Sequence, residues 1–371
     1  MNRNARSDEL HDAVQRFAAA DSARSFADLA LEIADFQGQF SPGFARLLAE
    51  RGGTPNSAEQ IPGVPSDTFR LARVAVHPIS EDQARFRTSG TTGSGHGIHA
   101  MRRLDTYQAL AKRFGRAALL STEASRRVVA LAPRLDEPPT SSLGYMMALF
   151  MADFVESGAG DTPVAEPWLI DERGVDVAAL ERAGRAAIEA NQEFIVLATS
   201  FALVALLDAL AGRSIAAPGQ TQVMQTGGFK GKSREIEPNE LRRAVARAFG
   251  IEATRVVSEY GMTELTSQLY EATLPGSALQ SERRGTSGVY FEPPWLRVVP
   301  VDPVSLEPMP PGEIGIARII DLGNIDSAIA VQTQDRVRRV AGGIELLGRA
   351  PGSTPRGCSL AVEAFLAAYT P

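Results

Sequence analysis

The sequence is poor in lysine and cysteine, and it has no apolar run long enough to cross a bilayer. It contains only three lysines, two of them the near neighbours Lys230 and Lys232, and a single cysteine, Cys358. A lone cysteine excludes an internal disulfide, and the first residues are polar and charged instead of forming the apolar core of a secretory leader. The most apolar helical stretch, 201–211, is too short to span a membrane and contains Asp208. These absences predict a cytoplasmic protein without a membrane span.

The charge balance and the histidines argue against two kinds of partner. With 38 basic and 44 acidic residues, the formal net charge of -6 leaves no basic surplus to hold a nucleic-acid backbone. Of the four histidines, His96 and His99 lie close together, but no cysteine or carboxylate ligand set accompanies them. We expect no nucleic-acid partner, and we interpret both histidines as loop residues.

The hydrophobic pattern predicts an α/β fold followed by a β-rich region. The length of 371 residues exceeds what one simple core supports. Strands and helices alternate first, with strands predicted at 127–132, 194–198, 221–224 and 255–258 and helices at 201–211 and 238–249. Such alternation is typical of α/β proteins that bind ligands at the carboxyl ends of their strands. Shorter strands follow at 289–291, 296–301, 314–320 and 328–331.

A hydroxyl- and glycine-rich stretch, Thr88–Gly97, is the first motif with chemical content. Its hydroxyls and backbone amides suit phosphate oxygens, and its glycines allow close backbone approach. The alternative is a solvated surface loop. The stretch is not a Walker loop, because no Lys-Ser/Thr pair follows its last glycine.

The second motif is Ser258–Glu264, at the end of a predicted strand. A tyrosine there offers a flat face for a base, and a threonine hydroxyl and a carboxylate follow where phosphate and Mg²⁺ are met. The alternative is a buried tyrosine followed by a helix-capping Thr-Glu pair. Taken alone, this alternative is the simpler one.

The two motifs, in this order, resemble the adenylate-forming superfamily of acyl-CoA synthetases, peptide-synthetase adenylation domains and luciferases. Within it the sequence is most similar to LuxE-type acyl-protein synthetases and related phenazine-biosynthesis proteins. Three further stretches carry the likeness, at 61–70, 226–231 and 348–360. The resemblance implies the N-terminal-domain architecture of that superfamily, two stacked α/β subdomains plus a β-rich subdomain. We therefore expect a helical lead-in at 1–80, α/β subdomains at 81–284, a β-rich subdomain at 285–348 and a short C-terminal remnant at 349–371.

The resemblance also assigns roles to individual residues around ATP and Mg²⁺. The residues matching the phosphate loop are Thr88, Ser89, Gly90, Thr91, Thr92 and Gly93. Gly227 and Gly228 match the turn of the adenine pocket, and Tyr260, followed by Gly261, matches the aromatic residue on adenine. Thr263 would meet the α-phosphate, Glu264 the Mg²⁺ and Asp335 the ribose hydroxyls, whereas Arg349 matches the arginine before the C-terminal domain.

The chemistry of adenylation calls for a cation, and Lys230 is the candidate. Attack of a carboxylate on the α-phosphorus builds negative charge that must be offset in advance. Lys230 follows two glycines at a strand end in a chain with almost no lysine. The alternative is a surface lysine in a turn.

The chain departs from the wider superfamily at its C-terminus. After Arg349 only 22 residues remain, Ala350 to Pro371, so the C-terminal domain and its catalytic lysine are expected to be missing or vestigial. LuxE-type proteins use a cysteine near this point as the acyl acceptor, and Cys358 lies at the matching place, with Arg356 two residues away to favour its thiolate. The alternative is a small buried apolar residue.

These features predict an AMP-forming acid ligase. It would convert a fatty or aromatic acid and ATP into acyl-AMP and pyrophosphate, then pass the acyl group to Cys358, to a partner protein or to a small thiol or amine. Tyr145, before the apolar helical stretch 146–150, is a candidate for the acid pocket, although it can equally belong to the core. The alternatives are an aryl- or acyl-CoA ligase and a binding subunit that has lost turnover.

Overall fold

A computed structural model describes residues 2–88, 95–121, 124–156, 164, 166–227, 236–349 and 356–368. The N-terminal lead-in is helical, as its apolar spacing predicts. Ser25 and Asp28 form a reciprocal capping box that begins the second helix, and Pro42 sits in the first turn of the third, where its missing N–H has no partner to lose. The elements are α1 (Arg3–Ala18), α2 (Phe26–Phe40), α3 (Pro42–Glu50), β1 (Val64–Pro65) and α4 (Thr68–Leu71).

A small antiparallel hairpin follows, and it was not predicted. Its strands are β2 (Ala84–Arg87) and β3 (Ile98–Met101), and helix α5 (Asp105–Leu119) comes next. Each strand has only four residues, too few for period-2 alternation to stand out in the sequence.

The central part is a parallel sheet with helices, as the alternation predicts. The elements are β4 (Arg126–Pro133), α6 (Ser142–Glu156), β5 (Trp168–Asp171), β6 (Gly174–Val175), α7 (Val177–Glu189), β7 (Glu193–Thr199), α8 (Ser200–Leu210), β8 (Gln222–Thr226), α9 (Pro238–Phe249) and β9 (Val256–Tyr260). Strands β5, β4, β7, β8 and β9 are parallel neighbours. Helix α9 has the predicted bounds, because Pro238 suits its first turn and Gly250 adopts the left-handed conformation that ends it.

The remaining strands extend the same sheet in an antiparallel manner. They are β10 (Leu269–Glu271), β11 (Val289–Phe291), β12 (Leu296–Val301), β13 (Ile314–Asp321), β14 (Ala330–Val340) and β15 (Gly343–Arg349), with α10 (Ala278–Arg283) between the first two. Over the described ranges this sheet has 13 strands, in the order β12-β13-β14-β15-β11-β10-β9-β8-β7-β4-β5-β6, with β1 beside β14. Strand β14 runs nine residues beyond the predicted end at 331, because its second half pairs with β15, which was not predicted.

Alternation along the central strands divides the core between the two faces of the sheet. Val128 and Ala130 of β4 belong to a cluster with α5 and α6, whereas Val129 and Leu131 belong to one with α7, α8 and α9. This arrangement, helices on both faces of a mixed sheet, leaves the carboxyl ends of β7, β8 and β9 as the place where loops meet.

The last described element, helix α11 (Arg356–Leu366), packs on the lead-in helix α3. Phe365 is fully buried, and its ring lies over Gly43, where an added Cβ would come within 2.5 Å of it. Helix α11 also contacts β1 and α4, so the lead-in and the C-terminal remnant share one apolar core. None of the helices in the described ranges is both long and apolar enough to cross a membrane.

Candidate active site

Three parallel strands end at the same level and define the floor of the site. The register aligns Thr199 of β7 with Thr226 of β8, and Thr226 with Glu259 of β9. Gly227, which follows β8, has φ +71, a backbone conformation that glycine adopts at no steric cost. Gly227 and Tyr260, assigned by resemblance to the adenine pocket, therefore lie at neighbouring strand ends.

Tyr260, Asp335 and Arg349 are linked by hydrogen bonds. The Tyr260 hydroxyl donates to Asp335 Oδ2 at 2.7 Å, and Arg349 Nε donates to Asp335 Oδ1 at 3.3 Å. Burial and the neighbouring Asp335 carboxylate raise the pKa of Tyr260 well above its usual value, so its hydroxyl stays a donor. Two residues, Tyr260 and Arg349, thus donate to the carboxylate of Asp335, whose paired oxygens suit vicinal hydroxyls.

Hairpin β2–β3 holds the base of the hydroxyl-rich loop. The Thr88 amide donates to the Gly97 carbonyl at 2.9 Å, and the Gly97 amide donates to Thr88 Oγ1 at 2.9 Å. A Cβ at Gly97 would lie 3.0 Å from the carbonyl carbon of Phe69, so α4 closes this side of the loop. Residues Ser89, Gly90, Thr91, Thr92 and Gly93 lie outside the described residues.

His99 connects the two motifs, a role that sequence reasoning missed. Its Nδ1 donates to the Thr263 carbonyl at 2.7 Å, since a carbonyl can only accept, and its Nε2 accepts from Ser327 Oγ at 2.9 Å. Burial lowers the pKa of His99 to about 4, so the ring is neutral at physiological pH. The interpretation of His99 as a loop residue was wrong, because it lies in strand β3 and is buried, whereas His96 lies in the loop before that strand.

Thr263 and Glu264 lie just after the end of β9, where hydrogen bonds hold them. Ser142 Oγ donates to Thr263 Oγ1 at 3.2 Å, and Asn324 Nδ2 donates to the Glu264 carbonyl at 2.9 Å. No three His, Cys, Asp or Glu side chains within the described ranges are grouped to hold a metal ion. A single buried carboxylate fits Mg²⁺ nonetheless, because this ion is commonly bound by one or two carboxylates together with substrate phosphates.

Tyr145 belongs to an aromatic cluster beside these residues. Its ring lies 5.5 Å from that of Phe86 and 5.9 Å from that of Tyr107, and its hydroxyl accepts from Gln108 Nε2 at 2.6 Å. The Tyr107 hydroxyl in turn lies 3.3 Å from the carbonyl of Ser142, the residue bonded to Thr263. Tyr145 is half-buried. It is therefore both a core contact and a neighbour of the site.

Cys358 is placed differently from what an acyl carrier needs. It lies in the first turn of α11, 2% exposed, and burial raises the pKa of its thiol to about 11. The Asp67 carboxylate adds to this increase and Arg51 opposes it. The side chain of Arg356, which was expected to favour the thiolate, lies outside the described part of the structure, so its effect stays a prediction. Gly228 and Lys230 lie outside the described residues, so their roles stay predictions.

Comparisons with known proteins identify the fold. No family model matches the sequence, and no curated protein matches it. Among solved structures, an open conformation of 2-hydroxyisobutyryl-CoA ligase in complex with 2-HIB-AMP and CoA superimposes with a TM-score of 0.59 at 14% identity, over 88% of this chain and 75% of that one. The same ligase in its thioesterification state gives 0.57 at 13% identity, over 94% and 69%. ATP-bound MatB from Rhodopseudomonas palustris gives 0.49 at 16% identity, and this chain spans 49% of its length. The chain thus has the fold of the N-terminal domain of adenylate-forming enzymes.

Proposed function

We propose that this protein activates a carboxylic acid with ATP, forming an acyl-adenylate and pyrophosphate. The observation that supports this most is the meeting of the two motifs: His99, just beyond the hydroxyl-rich loop, is hydrogen-bonded to Thr263 beyond Tyr260. Tyr260 would pack on adenine, and Asp335, hydrogen-bonded to Tyr260 and Arg349 at the same edge of the sheet, would accept from the ribose hydroxyls. A nucleotide between them would have its phosphates directed toward the loop.

In the proposed reaction one carboxylate oxygen of the acid attacks the α-phosphorus of ATP. A new P–O bond forms as the bond between the α-phosphorus and the bridging oxygen breaks, and pyrophosphate leaves with that electron pair. Tyr260 would pack on adenine, Asp335 would accept from the ribose, and Thr263 would contact the α-phosphate. Loop residues 88–93 would hold the leaving pyrophosphate.

The main electrostatic requirement of this reaction is positive charge that offsets the negative charge at the α-phosphate. Glu264 would hold Mg²⁺, which supplies positive charge between the phosphates when bound. Lys230 and Arg349 are proposed as further cations, with Arg349 poised by its bond to Asp335. These residues would act before attack, by reducing the repulsion between the two anions.

The acceptor of the acyl group distinguishes two versions of this proposal. The resemblance to LuxE-type proteins favours a thiol or amine, on Cys358, on a partner protein or on a small molecule. An acyl-CoA ligase is the second version, and the similarity to a ligase solved with 2-HIB-AMP and CoA supports it. A binding subunit without turnover is the remaining alternative.

Acid-dependent exchange of labelled pyrophosphate into ATP tests the proposal. An adenylate-forming enzyme is expected to catalyse this exchange with at least one acid from a panel of aliphatic and aromatic acids. Tyr260→Ala should abolish most of it, and Glu282→Gln, a substitution of an exposed residue on α10, serves as the control. A folded protein that exchanges no pyrophosphate with any acid, while binding ATP, would be a binding subunit. Loss of free CoA thiol in the presence of acid and ATP, as the acyl group passes from AMP to the CoA sulfur, then separates the two enzymatic versions.

A further inference from the structure

Glu259 is a buried acid that the proposed reaction leaves unused. It is 5% exposed and lies on the face of β9 shared with Val257, the face covered by α5. Its Oε2 accepts a hydrogen bond from Thr226 Oγ1 of the neighbouring strand. In the described part of the chain, its other oxygen, Oε1, receives no hydrogen bond, and no cation is paired with the carboxylate.

The free oxygen of Glu259 is directed to the mouth of the site. A Cβ placed on Gly261 would lie 2.5 Å from Glu259 Oε1, so the missing side chain at Gly261 leaves room for this oxygen. Gly261 itself is exposed and belongs to the Tyr260–Glu264 motif. Oε1 therefore lies next to the edge at which the nucleotide is proposed to bind.

Two tyrosines, Tyr270 and Tyr107, lie near Glu259. Tyr270 of β10 is directly opposite Glu259 in the antiparallel register, and its buried hydroxyl has no hydrogen-bond partner among the described residues. Burial, then the neighbouring Glu259 carboxyl, raises the pKa of both Tyr270 and Tyr107. The Tyr107 ring also packs on Tyr145, in the aromatic cluster beside Thr263. A carboxyl oxygen and a hydroxyl without hydrogen-bond partners among the described residues thus belong to paired positions of β9 and β10, close to the aromatic cluster.

A purely structural role explains this arrangement poorly. A buried carboxylate without a counterion is costly, whereas a neutral amide at the same position would accept the Thr226 bond without that cost. An unsubstituted acyl chain against Oε1 would leave it unpaired, but a ligand with an O–H or N–H group would satisfy it.

We propose that Glu259 selects the acid: its Oε1 accepts a hydrogen bond from a hydroxyl or amino group on an aromatic ring of the substrate. This inference rests on the proposed function and narrows it, from fatty or aromatic acids to aromatic acids that carry such a donor. Tyr107 and Tyr145 would contact the ring of the acid, and Glu259 would distinguish acids that carry a hydroxyl or amino donor from acids that do not.

Pyrophosphate exchange with matched acids tests this without any variant. Benzoate, the three hydroxybenzoates, the three aminobenzoates and octanoate are compared on the wild-type protein. At least one donor-bearing benzoate is expected to have a kcat/KM between about 10-fold and 100-fold above that of benzoate, with octanoate lower still. Equal values for benzoate and all of its donor-bearing derivatives, or a preference for octanoate, would overturn the inference and leave acid activation established.

Two variants test whether Glu259 is the residue that causes the preference for donor-bearing acids. Glu259→Leu removes the acceptor and is expected to bring the donor-bearing acid and benzoate to within about 2-fold of each other, chiefly through KM for the acid, with KM for ATP unchanged. Glu259→Gln keeps an acceptor of the same shape and should restore part of the preference. Retention of the full preference in Glu259→Leu assigns selection elsewhere. No exchange with any acid would reject the proposed function itself, and the inference with it.

Discussion

The burial of Glu259 predicts how the stability of the protein changes with pH. Desolvation raises the pKa of its carboxyl from an ordinary value of 4.5 to about 7, opposed only by the hydrogen bond from Thr226. The folded protein therefore holds this proton more tightly than the unfolded chain does. Glu259→Gln removes the titration and keeps an oxygen that accepts from Thr226.

The magnitude follows from the difference between the two pKa values. Below pH 4.5 both states are protonated, and the contribution of Glu259 is fully present. As pH rises to 7 the unfolded chain ionises first, so folding stability is lost across this window. The loss approaches about 3.5 kcal/mol above pH 7, from roughly 2.5 pH units at about 1.4 kcal/mol each. Between pH 5 and 8 the wild type should therefore lose roughly 2–3 kcal/mol relative to Glu259→Gln.

Urea unfolding at pH 5 and pH 8, followed by tryptophan fluorescence, measures this difference. Glu282→Gln, an exposed substitution on α10, controls for loss of a glutamate as such and should follow the wild type. Thr226→Val removes the hydroxyl that favours the ionised form, so it should steepen the loss of stability with pH. Parallel pH profiles for wild type and Glu259→Gln would mean that Glu259 ionises normally in the folded protein, which would refute the burial argument.

Three further predictions concern the site and the C-terminal helix. His99→Leu leaves the Thr263 carbonyl without its donor and is expected to lower the free energy of unfolding by roughly 2–4 kcal/mol in urea titrations; a loss near zero would show that the bridge is dispensable. Asp335→Asn should raise KM for ATP about tenfold in the exchange assay with KM for the acid unchanged, and an unchanged KM for ATP would assign the ribose contact elsewhere. Gly43→Leu should displace α11 and speed the reaction of Cys358 with a thiol reagent at least about tenfold, whereas equal rates would show that the thiol is already accessible.

The fold could be predicted where local signals agree with the final structure. Helix α9 and strands β11 and β12 have the predicted bounds, because proline, glycine and apolar spacing mark their ends. Strand β15 and the second half of β14 were missed, since many of their residues are polar and they form by pairing with each other and with β11 and β13. Pairing between two such strands cannot be deduced from either strand alone.

The candidate site was predictable in its residues but not in its connections. The positions of Tyr260 and Asp335 came from resemblance, and the structure adds the hydrogen bond between them, across 75 positions of sequence. Glu259 and His99 were not assigned any role. A carboxylate or an imidazole carries no periodic signal, and its function depends on neighbours from other elements.

The packing of α11 is stronger evidence on whether Cys358 accepts the acyl group than the position of Cys358 in the sequence. Exposure of the thiol requires α11 to leave α3, which uncovers Phe365, Ala361, Ala364 and Cys358 itself. At up to about 3 kcal/mol for the Phe365 side chain and about 0.8 kcal/mol for each of the two alanine methyl groups, this costs about 5 kcal/mol, so on the order of 1 molecule in 5,000 would present the thiol at equilibrium. Even then, the thiol would need deprotonation to attack. An acceptor that diffuses to the strand ends of β8 and β9 needs neither step. For the proposed reaction, a free or partner-borne thiol or amine is therefore a more accessible acceptor than Cys358, unless a partner first displaces the helix.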